Sequence, residues 1–155
     1  MKNTKNLSVV FIIIAALLML ATFILQFQPF WSVDGQGVSI AGYIGQPTSH
    51  PEMKDYMTAA LGPDYTIHDI FAAPLMQQIL SVLGIVLLVV LCLSRQHLWL
   101  SSVISGVCGL LGSWCFLTQP AFQLGASWPL HLTINLATLV VSLIALLLAF
   151  RREKE

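Results

Sequence analysis

The chain has 155 residues, of which 57% are hydrophobic and 9% charged, with seven basic and seven acidic side chains. A soluble domain carries about 25% charged residues, so 14 charges cannot solvate the surface of a globule this size. The composition excludes a soluble enzyme, a disordered chain and a basic nucleic-acid binder, and it makes the lipid bilayer the principal partner.

A membrane-crossing helix needs about 20 mostly apolar residues. Four stretches meet that requirement, at about 7–27, 71–93, 98–117 and 129–150, and none of them contains Asp, Glu, Lys or Arg. The first follows Lys2 and Lys5 in the manner of a signal peptide. Its apolar run is longer than a signal h-region and no small-x-small cleavage site follows it, while Gln26, Gln28, Pro29 and the aromatic pair Phe30 and Trp31 suit an interfacial belt, so a retained first helix is expected.

Residues 28–70 form a long connection. Trp31-Ser32-Val33 and Val38-Ser39-Ile40 alternate apolar and polar residues around Asp34-Gly35-Gln36-Gly37, which predicts a β-hairpin, with Gly42–Gly45 extending or bulging its second strand. Ser49 and Glu52 have capping-box spacing, Pro51 suits a first helical turn, and Gly62-Pro63 is a stop signal. Between them Met53, Met57, Ala60 and Leu61 make an apolar stripe, with Tyr56 beside it. A short amphipathic helix over 51–61 is expected, lying on the hairpin or on the membrane surface. Asp69 is placed to cap the second span. Two roles fit this cap: a ligand or partner surface carrying exposed aromatics, His50 and His68, and a seal over the outer helix ends.

In the second span, Pro74 implies a bent or late start, and Gln77 and Gln78 add polarity near its outer end. The third span is rich in small residues. Ser102, Gly106, Gly109 and Ser113 share a face, and Ser105, Gly109 and Ser113 form a small-xxx-small series. Such faces let helix backbones approach closely, either within the bundle or in self-association to a homo-oligomer. The uncharged connection 118–128 is expected at the outer interface, with Trp114, Phe122 and Trp128 as belt residues. The fourth span carries His131, Asn135, Thr138 and Ser142 at spacings of four, three and four, so one polar stripe descends from the outer end. Polar groups in hydrocarbon seek partners. The stripe is read as an interhelical hydrogen-bond network or, with Gln77 and Gln78, as the lining of a shallow outer vestibule.

Charge placement sets the orientation. Lys2, Lys5, Arg95, Arg151, Arg152 and Lys154 all fall on one side of a four-span layout, while Lys54 joins five acidic residues in the long loop for a net charge of −4 there. The positive-inside rule puts both ends in the cytoplasm and residues 28–70 outside, in a plasma membrane. The layout resembles that of the claudin and tetraspan class. The first outer loop has Trp31 without the Gly-Leu-Trp or the two cysteines of claudins, so the resemblance implies a topology and no activity.

No Cys-x-x-Cys, phosphate-binding glycine loop, nucleophile elbow or metal-ligand spacing is present, and no carboxylate lies within a span. Cys92, near the inner end of the second span, is a palmitoylation candidate or a small apolar residue. No catalytic residue, metal or cofactor is expected. The fold expected is an all-α, four-helix transmembrane bundle with a hairpin-and-helix cap, forming one domain. The function expected is non-enzymatic: an accessory or interaction subunit of a larger membrane complex, or alternatively a small transporter or channel-like protein.

Overall fold

A computed structural model describes residues 2–45, 51–63, 79, 81–90 and 98–153. In chain order the elements are α1 (Lys2–Leu25), β1 (Pro29–Val33), β2 (Gln36–Ser39), α2 (Ile40–Gly45), α3 (Pro51–Leu61), α4 (Ser81–Val90), α5 (Leu98–Thr118), α6 (Pro120–Gln123) and α7 (Trp128–Glu153). Three stretches, Asn6–Leu25, Leu98–Thr118 and Trp128–Phe150, are long and apolar enough to cross a membrane. Twenty-one residues of α-helix rise about 31 Å, which matches a hydrocarbon core of about 30 Å.

Of the second expected span, 71–93, the described part is Ile79 and the apolar helix α4. Pro74, Gln77, Gln78 and Cys92 lie outside the described residues. So do Ser49, His50, His68, Asp69 and Arg95, and with them the capping box and the cap expected for that span.

Helix α7 is the centre of the packing. It lies against α5 on one side and α1 on the other, and a bond from Ser8 Oγ to Ala145 O (3.3 Å) joins α1 to α7. Ser8 is near the start of α1 and Ala145 near the end of α7, so the two helices run antiparallel and bring the start of α1 and the end of α7 to one end of the bundle. Helix α4 meets α1 and α5 at Gly84, where a Cβ would stand 2.6 Å from Met19 Cε and 3.1 Å from Cys108 Sγ. Ile12, Met19, Leu88, Leu98, Cys108 and Ala145 form the apolar core of this end. The opposite faces, among them Leu17, Val86, Leu110, Val140 and Leu147, are exposed and predominantly apolar. That arrangement suits surroundings of lipid, because water would not tolerate an apolar surface of this extent.

The other end carries the cap. The hairpin turns through Asp34 (φ 49°) and Gly35 (φ 77°), the two-residue turn with both central residues left-handed that matches strand twist. The turn is thus shorter than the four residues expected, and Gln36 and Gly37 belong to β2. The second strand also ends earlier than expected. Ser39 Oγ accepts the Gly42 N–H at 3.0 Å, so Ser39 caps a short helix and Ile40 begins α2 instead of continuing the strand.

Helix α3 occupies the residues expected of it, with Met53 and Met57 buried and Ala60 exposed. It packs on the hairpin and on α6, so its apolar stripe faces protein. The connection after α5 contains α6, begun by Pro120 behind the extended Gln119.

Candidate functional site

Consecutive residues of a strand normally point to opposite faces, yet Phe30 and Trp31 are both buried. The register explains this. Pro29 pairs with Ser39 and Trp31 with Val38, so β1 advances two residues while β2 advances one, and Phe30 is the extra residue of a β-bulge. The bulge turns Phe30 inward beside Trp31. Two hydrogen bonds then fasten the strand to the connection between α5 and α7. Trp31 Nε1 donates to Ala121 O at 2.9 Å, and Ala126 N donates to Phe30 O at 2.9 Å. A third, from Ala41 N to Gln26 O at 2.9 Å, ties α2 to the end of α1.

The Phe30 ring fills a notch formed by Gly125, where a Cβ would lie 2.2 Å from a ring carbon. Around it stand Trp31, Phe116, Phe122 and His131, with ring centroids between 4.7 and 6.1 Å away. His131 stacks on Phe116 at 5.1 Å and meets Phe30 edge-on at 5.2 Å. Offset or edge-on ring pairs of this kind contribute about 0.5–1.5 kcal/mol each beyond area burial. Tyr43, Met53 and Met57 close the cluster from the cap side. Burial raises the Tyr43 phenol above its usual pKa by disfavouring the charged form.

Below this cluster the polar stripe of α7 meets the small-residue face of α5. Gly109 lies directly on the α7 backbone: a Cβ there would be 2.8 Å from Asn135 O and 2.7 Å from Leu139 N. Ser102, Ser105 and Ser113 are buried on the same side of α5, and Gly106 is half-buried with its α-carbon facing Ser142. Ser142 Oγ stands 2.7 Å from both Ser105 Oγ and Thr138 O. Its single proton goes to one of them at a time. Ser105 passes its own proton to Ser101 O (3.0 Å), which leaves a lone pair facing Ser142.

The other polar groups turn back on their own helices. Asn135 Nδ2 donates to His131 O (2.8 Å), Thr138 Oγ1 to Ile134 O (2.9 Å), and Ser102 and Ser113 to the carbonyls four residues before them. His131, Asn135 and Thr138 are buried, so the described part of the stripe is an interior seam. Gln77 and Gln78, which the sequence reading grouped with them, lie outside the described residues.

Three buried polar atoms at the junction of cap and bundle have no hydrogen-bond partner among the described residues: His131 Nδ1 and both amide atoms of Gln26. Ser101 Oγ, at the other end of α5, is a fourth. The described residues contain no group of three or more His, Cys, Asp or Glu side chains placed to hold a metal. The first turn of α7 has its N–H groups engaged, Trp128 with Gly125 O and both Leu130 and His131 with Ser127 O.

Comparison with protein-family models, with curated proteins and with solved structures gives no match. The site therefore stands on its geometry alone. Sequence reading placed His131, Asn135 and Thr138 on an inward face and the small residues of α5 on one packing face, and the structure brings those two faces together. It took Phe30, with Trp31, for an interfacial belt pair, whereas the structure buries both, and it gave Gly125 no role. The signal for Phe30 was two adjacent aromatics that break strand alternation, the mark of a bulge. Phe122, expected in the interfacial belt, is instead fully buried because α6 turns it against Phe30 and Trp31. Of the other two residues expected there, Trp114 is 64% exposed and Trp128 packs half-buried against the cluster.

Proposed function

We propose that the chain is a multi-pass plasma-membrane protein without reaction chemistry that serves as an accessory or interaction subunit of a larger membrane complex. The observation that carries this reading is how the interior polar groups are used. Ser105 and Ser142 bond to each other, Gly109 seats α5 on α7, and Asn135 and Thr138 bond back to carbonyls of their own helix. Among the described residues no acid, base and nucleophile are aligned inside, and the surfaces offered outward are an apolar collar and a folded cap.

The antiparallel α1 and α7 fit the four-span orientation read from charge. The ends that carry Lys2, Lys5, Arg151 and Arg152 are cytoplasmic, and the cap with Asp34, Glu52, Lys54 and Asp55 is outside. In this reading α4 belongs to the second crossing. Burial of His131, Asn135 and Thr138 favours packing over a solvent-lined vestibule, the feature a transporter or channel would need.

The test is quantitative co-purification from native membranes in mild detergent at native expression level. One membrane protein recovered in fixed stoichiometry, and lost when the exposed cap residues Asp34 and Asp55 are changed to Lys, is the expected result. A monodisperse lone chain would refute the reading.

A further inference from the structure

We infer that the hairpin is a hinged lid, with Phe30 as its plug, and that the polar groups beneath it bias the lid toward opening. Three independent features converge on that residue. A β-bulge turns Phe30 out of strand alternation, a glycine at 125 leaves a notch that only a residue without a side chain can provide, and the ring then covers His131. Among the described residues, the polar contacts that hold the closed state include Trp31 Nε1 to Ala121 O, Ala126 N to Phe30 O and Ala41 N to Gln26 O.

The closed state also leaves groups unsatisfied. Gln26 is 0% and His131 1% exposed, and neither the Gln26 amide nor His131 Nδ1 has a partner among the described residues. Buried donors and acceptors without partners disfavour the state that buries them. They are concentrated at the cap junction, where a movement of the hairpin would give them water. By contrast, the stripe residues deeper in α7 are bonded. Opening withdraws Phe30 from Gly125 and presents the His131 imidazole, the head of the polar seam, to the outer face while α5, α7 and α1 stay packed. This inference is independent of whether the protein serves a larger complex.

Carbethoxylation of His131 by diethylpyrocarbonate, followed by peptide mass spectrometry on the full chain in lipid nanodiscs, reads the opening. Labelling is expected faster than exchange of the core amides of α5 and α7, which marks an opening short of unfolding. Trp31→Phe, which removes one latch bond, should speed labelling about fivefold. Gln26→Met, which keeps the volume and removes the unsatisfied amide, should slow it at least about fivefold. The two variants move in opposite directions, so loss of folding cannot mimic the result. Labelling unchanged or faster in Gln26→Met, or wild-type labelling no faster than core amide exchange, overturns the inference.

Discussion

Gly109 and Gly106 lie three residues apart on α5, and the structure assigns opposite signs to the same substitution at the two positions. A Cβ at 109 would stand 2.7 Å from Leu139 N, 2.8 Å from Asn135 O and 3.1 Å from Leu139 Cα, all backbone atoms of α7. Ordinary contact is about 3.5–4.0 Å, so the helices must part by roughly 1 Å. Overpacking of this kind costs about 1–3 kcal/mol. The separation also stretches the Ser142–Ser105 bond one turn away, whose loss adds about 0.6 kcal/mol, the average for interhelical bonds in membranes. Against this, Ala in place of Gly gains about 0.5–1 kcal/mol of helix propensity. The balance for Gly109→Ala is a loss of about 1–3 kcal/mol.

At 106 the new Cβ would meet only Ser142 Cβ at 3.5 Å, an ordinary contact. There the propensity gain stands alone, and Gly106→Ala should stabilise by up to about 1 kcal/mol. Equilibrium unfolding in dodecylmaltoside micelles titrated with SDS, followed by far-UV circular dichroism, compares the two variants. Unfolding of both at the same SDS fraction would refute the close approach of α5 and α7 at Gly109.

Three further outcomes follow from the cap. Gly125→Ala places a methyl group within 2.2 Å of the Phe30 ring and should expel it from the notch, raising protease cleavage within residues 28–45 while the bundle keeps its helicity. Ser39→Ala removes the cap of α2 and should lower stability by about 1 kcal/mol, with Ser39→Asp recovering most of it in the same SDS titration. Tyr43 is raised by burial, so its phenol stays protonated in the folded state at a pH where the unfolded chain has begun to ionise. Its contribution is therefore complete below about pH 10 and is lost as pH rises through the folded value. Absorbance titration of the native protein should show a late phenolate step that Tyr43→Phe removes.

Much of this architecture was legible because the apolar runs are long and the few charges fall between them. The bounds of α3 came from Pro51 and Gly62, the hairpin from Asp34-Gly35, and the inward face of α7 from the spacing of His131, Asn135 and Thr138. What escaped was set by pairs of segments distant in sequence. Phe30 has meaning only against Gly125, and nothing local to residue 125 distinguishes a notch from an ordinary loop glycine. Ile40 read as the end of a strand and Gly42–Gly45 as its extension or a bulge, and the Ser39 hydroxyl decided for a helix. Phe122 has the composition of a belt residue; the turn begun by Pro120 faces it inward.

The bond from Trp31 to Ala121 spans 90 residues of chain. At about 5–20 residues per second, the segment that receives the hairpin is synthesised roughly 5–20 s after it. Throughout that interval Phe30 and Trp31 have neither the α6 turn nor the Gly125 notch to enter. The cap therefore cannot finish folding until α6 and Gly125 have been made, and until then its aromatic face is available to a chaperone or to an aggregating neighbour.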